Sequence, residues 1–365
     1  MTVSTALVGP TDTAQSEDLR TMVGSALRHF LDTRAEDLLS IGPVLEPVVA
    51  ALRDFLLNGG KRLRPAFCYW GWRGAGGMPG DTAVIGAAAS LELLHACGLI
   101  HDDIIDASDT RRGQPAVHRR FAQLHHRDHL RGSADGFGTA AAILLGDMCM
   151  TWCDQMFDEN LPPTANVRAA KKLFHLMHTE VLAGQYLDAL EQSLDTVSLS
   201  RAMTVIRYKT ACYTVVRPLQ LGALLAGADD ELLASYSRFA MPLGEAFQLR
   251  DDVLGVFGDS SATGKPTGDD LREGKHTVLL ALARDRATGP QRGELDRLVG
   301  EPALTEDGVD ILRSIIIDTG ALRDVEAQID ARMSLVRGAL SDAPLTEEVR
   351  EALTELAIAS TKRSA

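Results

Sequence analysis

The 365-residue chain lacks several features that would point quickly to a function, and each absence excludes something. Its five cysteines, Cys68, Cys97, Cys149, Cys153 and Cys212, include no CxxC pair, so neither a dithiol redox motif nor a cysteine-rich zinc site is indicated. Cys149 and Cys153 are four residues apart, but no histidine or further cysteine completes a metal set. The cysteines read as reduced, small apolar residues of a core. Basic charge is also in deficit: 37 Lys and Arg against 50 Asp and Glu leave a formal net charge of −13. Phosphate-backbone binding needs a clustered basic face, so no nucleic-acid partner is expected. The most apolar stretch, "TAVIGAAASLELLHACGLI", contains Glu92 and His95 and is interrupted by glycine. That argues against a spanning helix of about 20 apolar residues. The N-terminus "MTVSTALVGPTDTAQSEDLR" has no basic start followed by an apolar core, as a signal peptide would. Residues 1–20 are expected to be a flexible lead-in, residues 21–365 a single domain, and the location cytoplasmic.

Strand-like alternation is missing as well. Segments such as "LRHFLDTRAEDLLS", "AAKKLFHLMHTEVLAGQYLDALE", "LSRAMTVIRYKTACYTVVRPLQLGALLAG" and "ELLASYSRFAMPLGEAFQLRDDVLGVF" instead place apolar residues three and four apart, the period of an amphipathic helix. Gly and Pro punctuate between them. The expected fold is an all-α bundle without a linker to mark a second domain. One long interior loop, residues 258–275, is rich in both glycine and charge, a combination more often functional than incidental.

Charge of both signs concentrates in "HDDIIDASDTRRGQPAVH", residues 101–118. If the preceding helix continues into it, Asp102 and Asp106 lie one turn apart on one face, with Asp103 turned about 100° away. Carboxylates late in a helix sit at the negative end of its dipole and call for a cation. Magnesium fits, since it takes one or two carboxylates together with water and substrate phosphates. A second acidic helix end follows in "FQLRDDVLGVFGD", where Asp251 and Asp252 come one turn after Gln248. Basic residues complement these acids: Lys61 and Arg64 in "GGKRLRP", Arg111 and Arg112 in "TRRG", Lys209 beside Thr210 in "YKTACYT", and Lys265 and Lys275 in the long loop. Guanidinium groups suit bidentate phosphate binding and lysines act as point charges. Any one of them alone would pass as a surface charge. Together with two acidic helix ends they describe a site for two phosphorylated substrates and metal.

These motifs, in this order and spacing, resemble the trans-isoprenyl diphosphate synthases, over roughly residues 25 to 340. The resemblance implies an all-α bundle around a deep central cavity, usually a homodimer, and a magnesium-dependent condensation of an allylic diphosphate with isopentenyl diphosphate. It assigns Lys61, Arg64, His95 and Arg112 to isopentenyl diphosphate, and Arg111, Lys209, Lys265 and Lys275 to the allylic diphosphate. Asp102, Asp106 and Asp251 become magnesium ligands for three ions, with Asp270 acting through water and Asp103 and Asp252 nearby. Thr210 and Gln248 become the polar groups facing the developing cation. The last acid of the family's second DDxxD motif is replaced here by Gly255, with Asp259 close in sequence. The resemblance also places a chain-length wall on the helix before the first motif. There Leu94, Cys97 and Gly98 are small or set deep, which implies a product longer than farnesyl, geranylgeranyl diphosphate first. The alternatives are a farnesyl or a medium- or long-chain synthase, a class I terpene cyclase, and a non-catalytic partner subunit. The three histidines of "LHHRDHL" read as a solvated face, and "LREGKHT" as a lid segment.

Overall fold

The computed structural model describes residues 10–163, 166–194, 196–258, 268–301 and 303–361, with side chains from residue 18 onward. Helix α1 (Pro10–Ile41) starts inside the expected lead-in, and Leu19 and Val23 are already buried. It is followed by α2 (Glu46–Leu57) and α3 (Leu63–Gly74). Next comes α4 (Thr82–Ile105), whose N-cap Asp81 accepts from the Ala83 and Val84 amides at 2.8 and 3.2 Å. Apolar on nearly every face, α4 is the kind of helix that must be surrounded by protein, and it packs among α1, α3 and α6. Helices α5 (Val117–Arg127), α6 (Ala134–Glu159) and α7 (Val167–Gln192) continue the bundle.

The continuous helix expected around residues 199–225 is present, but its pitch is not uniform. Helix α8 (Leu199–Val205) widens into a π-helical stretch over Ile206–Val216 and returns to α geometry in α9 (Arg217–Leu225). A π segment shifts the side-chain register and recurs at functional sites, and this one carries Lys209 and Thr210. Two glycines let neighbouring helices press against it. A methyl group on Gly184 of α7 would fall 2.4 Å from the Lys209 amide nitrogen, and one on Gly244 would fall 2.5 Å from Ala211 Cα. Gly244 belongs to α10 (Asp230–Phe257), which leads to the second acidic cluster. Helices over Asp269–Arg272, Val278–Arg286, Gly289–Leu298, Glu306–Asp318, Ala321–Asp342 and Glu347–Thr361 complete the chain.

Among the described residues the one sheet is a two-stranded ribbon, Thr110–Arg111 against Gln114–Pro115, paired Thr110 to Pro115 and Arg111 to Gln114. Its turn residues, Arg112 (φ 53°) and Gly113 (φ 73°), are both left-handed, the geometry that suits a tight hairpin. Strands two residues long leave no alternating pattern to read. The buried apolar residues form three clusters, with α3 and α9 each contributing to two of them and α10 likewise to two. Two helices, α4 and α6, are long and apolar enough to cross a membrane by length and composition alone, a test that buried core helices also pass, and neither marks a clear span. The apolar character of α4 follows from its place in the protein core, whereas α6 leaves Phe137, Ile143 and Leu144 exposed.

Candidate active site

The first acidic motif straddles the end of α4. Asp102 and Asp103 lie in the last turn and Asp106 is the C-cap, its amide donating to Asp102 O at 2.8 Å. Oδ1 of Asp102 and Oδ1 of Asp106 are both buried and accept no hydrogen bond from the described residues. Burial raises the Asp106 carboxyl above the usual range, with Asp102 and Glu273 adding to the effect and Lys275 opposing it. The two cations closest to this pair come from distant segments. Lys209 Nζ is 2.6 Å from Asp188 Oδ2 and 3.6 Å from Asp102 Oδ1. Burial disfavours its charge, but Asp102 and Asp188 outweigh that and hold its pKa above the ordinary lysine value. Lys275 Nζ pairs with Glu273 and lies 3.4 Å from Asp106 Oδ2 and 3.6 Å from Asp270 Oδ1.

Buried carboxylate oxygens without hydrogen bonds are costly unless positive charge reaches them. Two of them one turn apart are hard oxygen donors suited to magnesium. Among the described residues no three His, Cys, Asp or Glu side chains group closely enough to hold a metal ion on protein atoms alone. An ion bound here must complete its shell with water and substrate oxygens, which is the coordination magnesium favours.

At the second acidic helix end the adjacent aspartates face different ways. Asp251 is exposed, whereas Asp252 is buried, and burial, then Asp270, Asp251 and Asp188, push its carboxyl well above the usual range against the opposing hydrogen bond from Gln248. Gln248 Nε2 donates to Asp252 Oδ1 at 2.8 Å, and Thr210 Oγ1 donates to Gln248 Oε1 at 2.6 Å. The departure at Gly255 has a spatial counterpart: a methyl group built there would lie 1.8 Å from Asp270 Oδ2. The carboxylate of Asp270 thus fills the space left by the absent side chain. Arg313 donates to the Val256 carbonyl through Nε and Nη2, at 2.8 and 2.7 Å, and places a positive charge at the negative end of the α10 dipole. Lys265 and Asp259 lie outside the described residues.

The third group is cationic. Gly59 and Gly60 have φ of 93° and 96°, and Arg62 has φ of 52°, so the chain turns sharply before α3 begins at Leu63. Lys61 is exposed in this turn, ahead of the helix that carries Arg64. Arg64 stacks 4.2 Å from the Tyr213 ring centroid and donates to Thr214 Oγ1 at 3.0 Å. Arg112 donates to the Asn58 carbonyl at 3.2 Å. Half-buried His95 has its pKa held well below the ordinary value by burial, then by Arg64, Arg112, Arg111 and Arg62. It is therefore neutral at physiological pH, a hydrogen-bonding group rather than a further cation. Consequently His95→Gln is expected to preserve turnover within a few-fold, and no limb of the pH profile between about 6 and 7 should disappear with it. His95→Ala should raise KM for the substrate bound there by about tenfold, and steady-state kinetics at several pH values will check both.

Nearly all the described site residues expected from the sequence fall into these three groups. Arg111 is held on Asp103 by two hydrogen bonds, the Nε one at 2.9 Å. Four partners were missed: Asp188 beside Lys209, Glu273 beside Lys275, and Arg62 paired with Glu92 at 2.5 Å in a nearly closed environment. Arg62 stood in "GGKRLRP" with no mark to separate it from its neighbours. Asp188 lies at helical spacing inside an ordinary amphipathic helix, and only the π-helical register of α8–α9 brings Lys209 to it. Among the wall positions, Leu94 and Cys97 are buried in the apolar core, while Gly98 is exposed and an added methyl group would meet nothing within 4 Å. In the histidine cluster His125 is buried and bonds the Arg131 carbonyl at 3.2 Å beside Phe137, whereas His126 and His129 are exposed. Away from these groups an acidic groove of about 540 Å³ runs between Pro290 and Asp318.

A helical bundle that brings two acidic clusters together with a set of lysines and arginines has the charge suited to a class of proteins that handle diphosphates with a divalent metal. The polyprenyl synthetase family model matches residues 46–316, and the chain belongs to that family. It is 32% identical to geranylfarnesyl diphosphate synthase of Aeropyrum pernix over 90% of this chain and 96% of the relative. It is 31% identical to geranylgeranyl diphosphate synthase of Mycobacterium tuberculosis over 83% of this chain and 86% of that one. A crystal structure of geranylgeranyl pyrophosphate synthase from Corynebacterium glutamicum, in complex with isoprenyl diphosphate and magnesium, superposes with a TM-score of 0.91. The two are 41% identical, over 96% of this chain and 99% of the other.

Proposed function

We propose that this chain is a chain-elongating prenyltransferase that condenses allylic diphosphates with isopentenyl diphosphate and releases geranylgeranyl diphosphate. The observation that carries the reading is the pair of buried oxygens without hydrogen bonds on Asp102 and Asp106, with Lys209 and Lys275 within ion-pair reach of their carboxylates. Asp102, Asp106 and Asp251, with Asp270 through water, would hold magnesium, three ions by this reading, which would supply positive charge for a departing pyrophosphate. Lys209, Arg111, Lys265 and Lys275 bind the allylic diphosphate. Arg111 and Lys275 exchange Asp103 and Glu273 for phosphate oxygens as they do so. Lys61, Arg64, His95 and Arg112 hold isopentenyl diphosphate with its double bond toward the allylic carbon. When the allylic carbon–oxygen bond ionises, the oxygens of Thr210 and Gln248 stabilise the cation at that carbon. The double bond attacks, and the proton released in forming the new alkene passes to the departing pyrophosphate. The apolar helices behind the charged rim keep water from quenching the cation.

The chain assembles as a homodimer in this reading, and the exposed apolar Phe137, Ile143 and Leu144 of α6 are available to such a contact. A cytoplasmic location and the absence of a nucleic-acid partner complete the proposal. The test is direct: incubate the purified chain with magnesium, labelled isopentenyl diphosphate and dimethylallyl, geranyl or farnesyl diphosphate in turn, and separate the products by chain length. Geranylgeranyl diphosphate as the main product supports the reading. Farnesyl or a longer polyprenyl chain would move the assignment within the family, while a cyclised hydrocarbon or no condensation would overturn it.

A further inference from the structure

Asp251 and Asp252 are adjacent in sequence and form the acidic head of the second motif, but the fold gives them different neighbours. Asp251 is exposed at the rim of α10. Asp252 is buried, and its Oδ1 accepts from Gln248 Nε2, one helical turn back, at 2.8 Å. The other end of the Gln248 amide accepts from Thr210 Oγ1 at 2.6 Å, across from α10 to the π-helical stretch. We infer that Asp252 is a positioning residue which fixes the Gln248 amide and, through it, the Thr210 hydroxyl, and that it is not a ligand of the metal.

The direction of each bond follows from donor inventory. The Gln248 NH₂ is turned toward Oδ1 of Asp252, an oxygen that accepts whether the carboxyl is ionised or holds its proton on the other oxygen. The amide carbonyl then faces Thr210, whose hydroxyl can satisfy it only by donating. The threonine proton is committed, and the hydroxyl lone pairs are what remains for the site. A flipped amide would present its NH₂ to Thr210 and bring positive partial charge to the place where a carbocation is proposed to form. One buried carboxyl at the end of the chain of three therefore selects the orientation that suits a cation. This inference rests on the role proposed above for Gln248 and Thr210.

The experiment compares Asp252→Asn, Asp252→Ala, Gln248→Ala and the Asp252→Ala/Gln248→Ala pair, measuring kcat, KM for both substrates and the magnesium concentration for half-maximal rate, with thermal melts as a folding control. Asp252→Asn keeps an oxygen acceptor at the same position and is expected to retain kcat within about threefold, with an unchanged magnesium requirement. Asp252→Ala is expected to lower kcat by about 10²-fold, the scale of a misplaced catalytic group, again with the magnesium requirement unchanged. In the Gln248→Ala background the Asp252→Ala change should cost little more, because its effect passes through Gln248. A purely structural aspartate would give additive losses in the double variant, and a metal ligand would raise the magnesium requirement in the asparagine variant; either result overturns the inference. If Gln248→Ala alone is as active as the parent, the failure lies with the cation-stabilising role assigned to Gln248 and is recognisable as such. The asparagine variant preserves side-chain volume and keeps the comparison usable even if the alanine variant proves unstable.

Discussion

Asp102→Ala is expected to lower kcat by about 10²–10³-fold at saturating magnesium, the range seen when one preorganised electrostatic stabiliser is removed from a site. In free-energy terms this is roughly 3–4 kcal/mol of lost transition-state stabilisation. The fold should hardly notice. Asp102 sits in the last turn of α4, where its negative charge opposes the helix dipole at about 0.3–1 kcal/mol, so its removal is a small relief. Against that stands the loss of its attraction to Lys209 at 3.6 Å, of similar size and opposite sign for a partly exposed pair. Lys209 is not orphaned, because Asp188 remains 2.6 Å away. The expected signature is therefore a large fall in kcat with a melting temperature within a few degrees of the parent. Turnover within tenfold of the parent would remove Asp102 from the metal site, and a collapse in thermal stability would make it a structural residue. Asp102→Asn should fall nearly as far in kcat, since an amide is a much poorer magnesium ligand than a carboxylate. That second variant separates the effect of charge from the effect of volume.

The helical class was legible because helical periodicity runs through almost every long segment, and the acidic helix ends were legible because short runs such as "HDDIID" and "QLRDD" stand out against apolar surroundings. What escaped was everything set by pitch and by long-range pairing. Nothing in "VIRYKTACYTVV" announces a π-helical register, yet that register brings Lys209 to Asp188 and Thr210 to Gln248. The sequence marks Gly255 as a missing acid. In space the carboxylate of Asp270, fifteen residues on, packs where that side chain would be. Linear spacing could not place one against the other, because the chain leaves α10 and returns between them. Arg62 shows the converse limit. It looks like one more phosphate ligand in "GGKRLRP", but its guanidinium is taken up by Glu92 and the Leu56 carbonyl. The same residue type at three neighbouring sites, Arg62, Arg64 and Arg112, does different work according to what faces it.

Substitution of Gly98 by phenylalanine is expected to shorten the main product from geranylgeranyl to farnesyl diphosphate. Gly98 lies one turn before Asp102 on the same face of α4, where it is exposed, and a β-carbon added there meets nothing within 4 Å, so a larger side chain starts out into open space. If that space is where the growing chain runs, the next isoprene unit no longer fits. A pocket that rejects even a few surplus methylenes discriminates by on the order of 10²-fold, enough to change the dominant product. Stability should hold or rise slightly, since glycine is the weaker helix former inside α4. Cys97→Phe makes the contrast. Cys97 is 2% exposed, in the same apolar cluster as Cys149 and Cys153, with its Sγ 3.8 Å from His101 Nδ1. A ring at that position overpacks a closed core and should cost about 1–3 kcal/mol, lowering the melting temperature whatever it does to chain length. Chromatography of the labelled products alongside thermal melts distinguishes the two positions. A Gly98→Phe enzyme of parental stability that still makes geranylgeranyl diphosphate in the same proportion would mean that the chain grows elsewhere. The limit on its length would then have to be sought on another wall of the bundle.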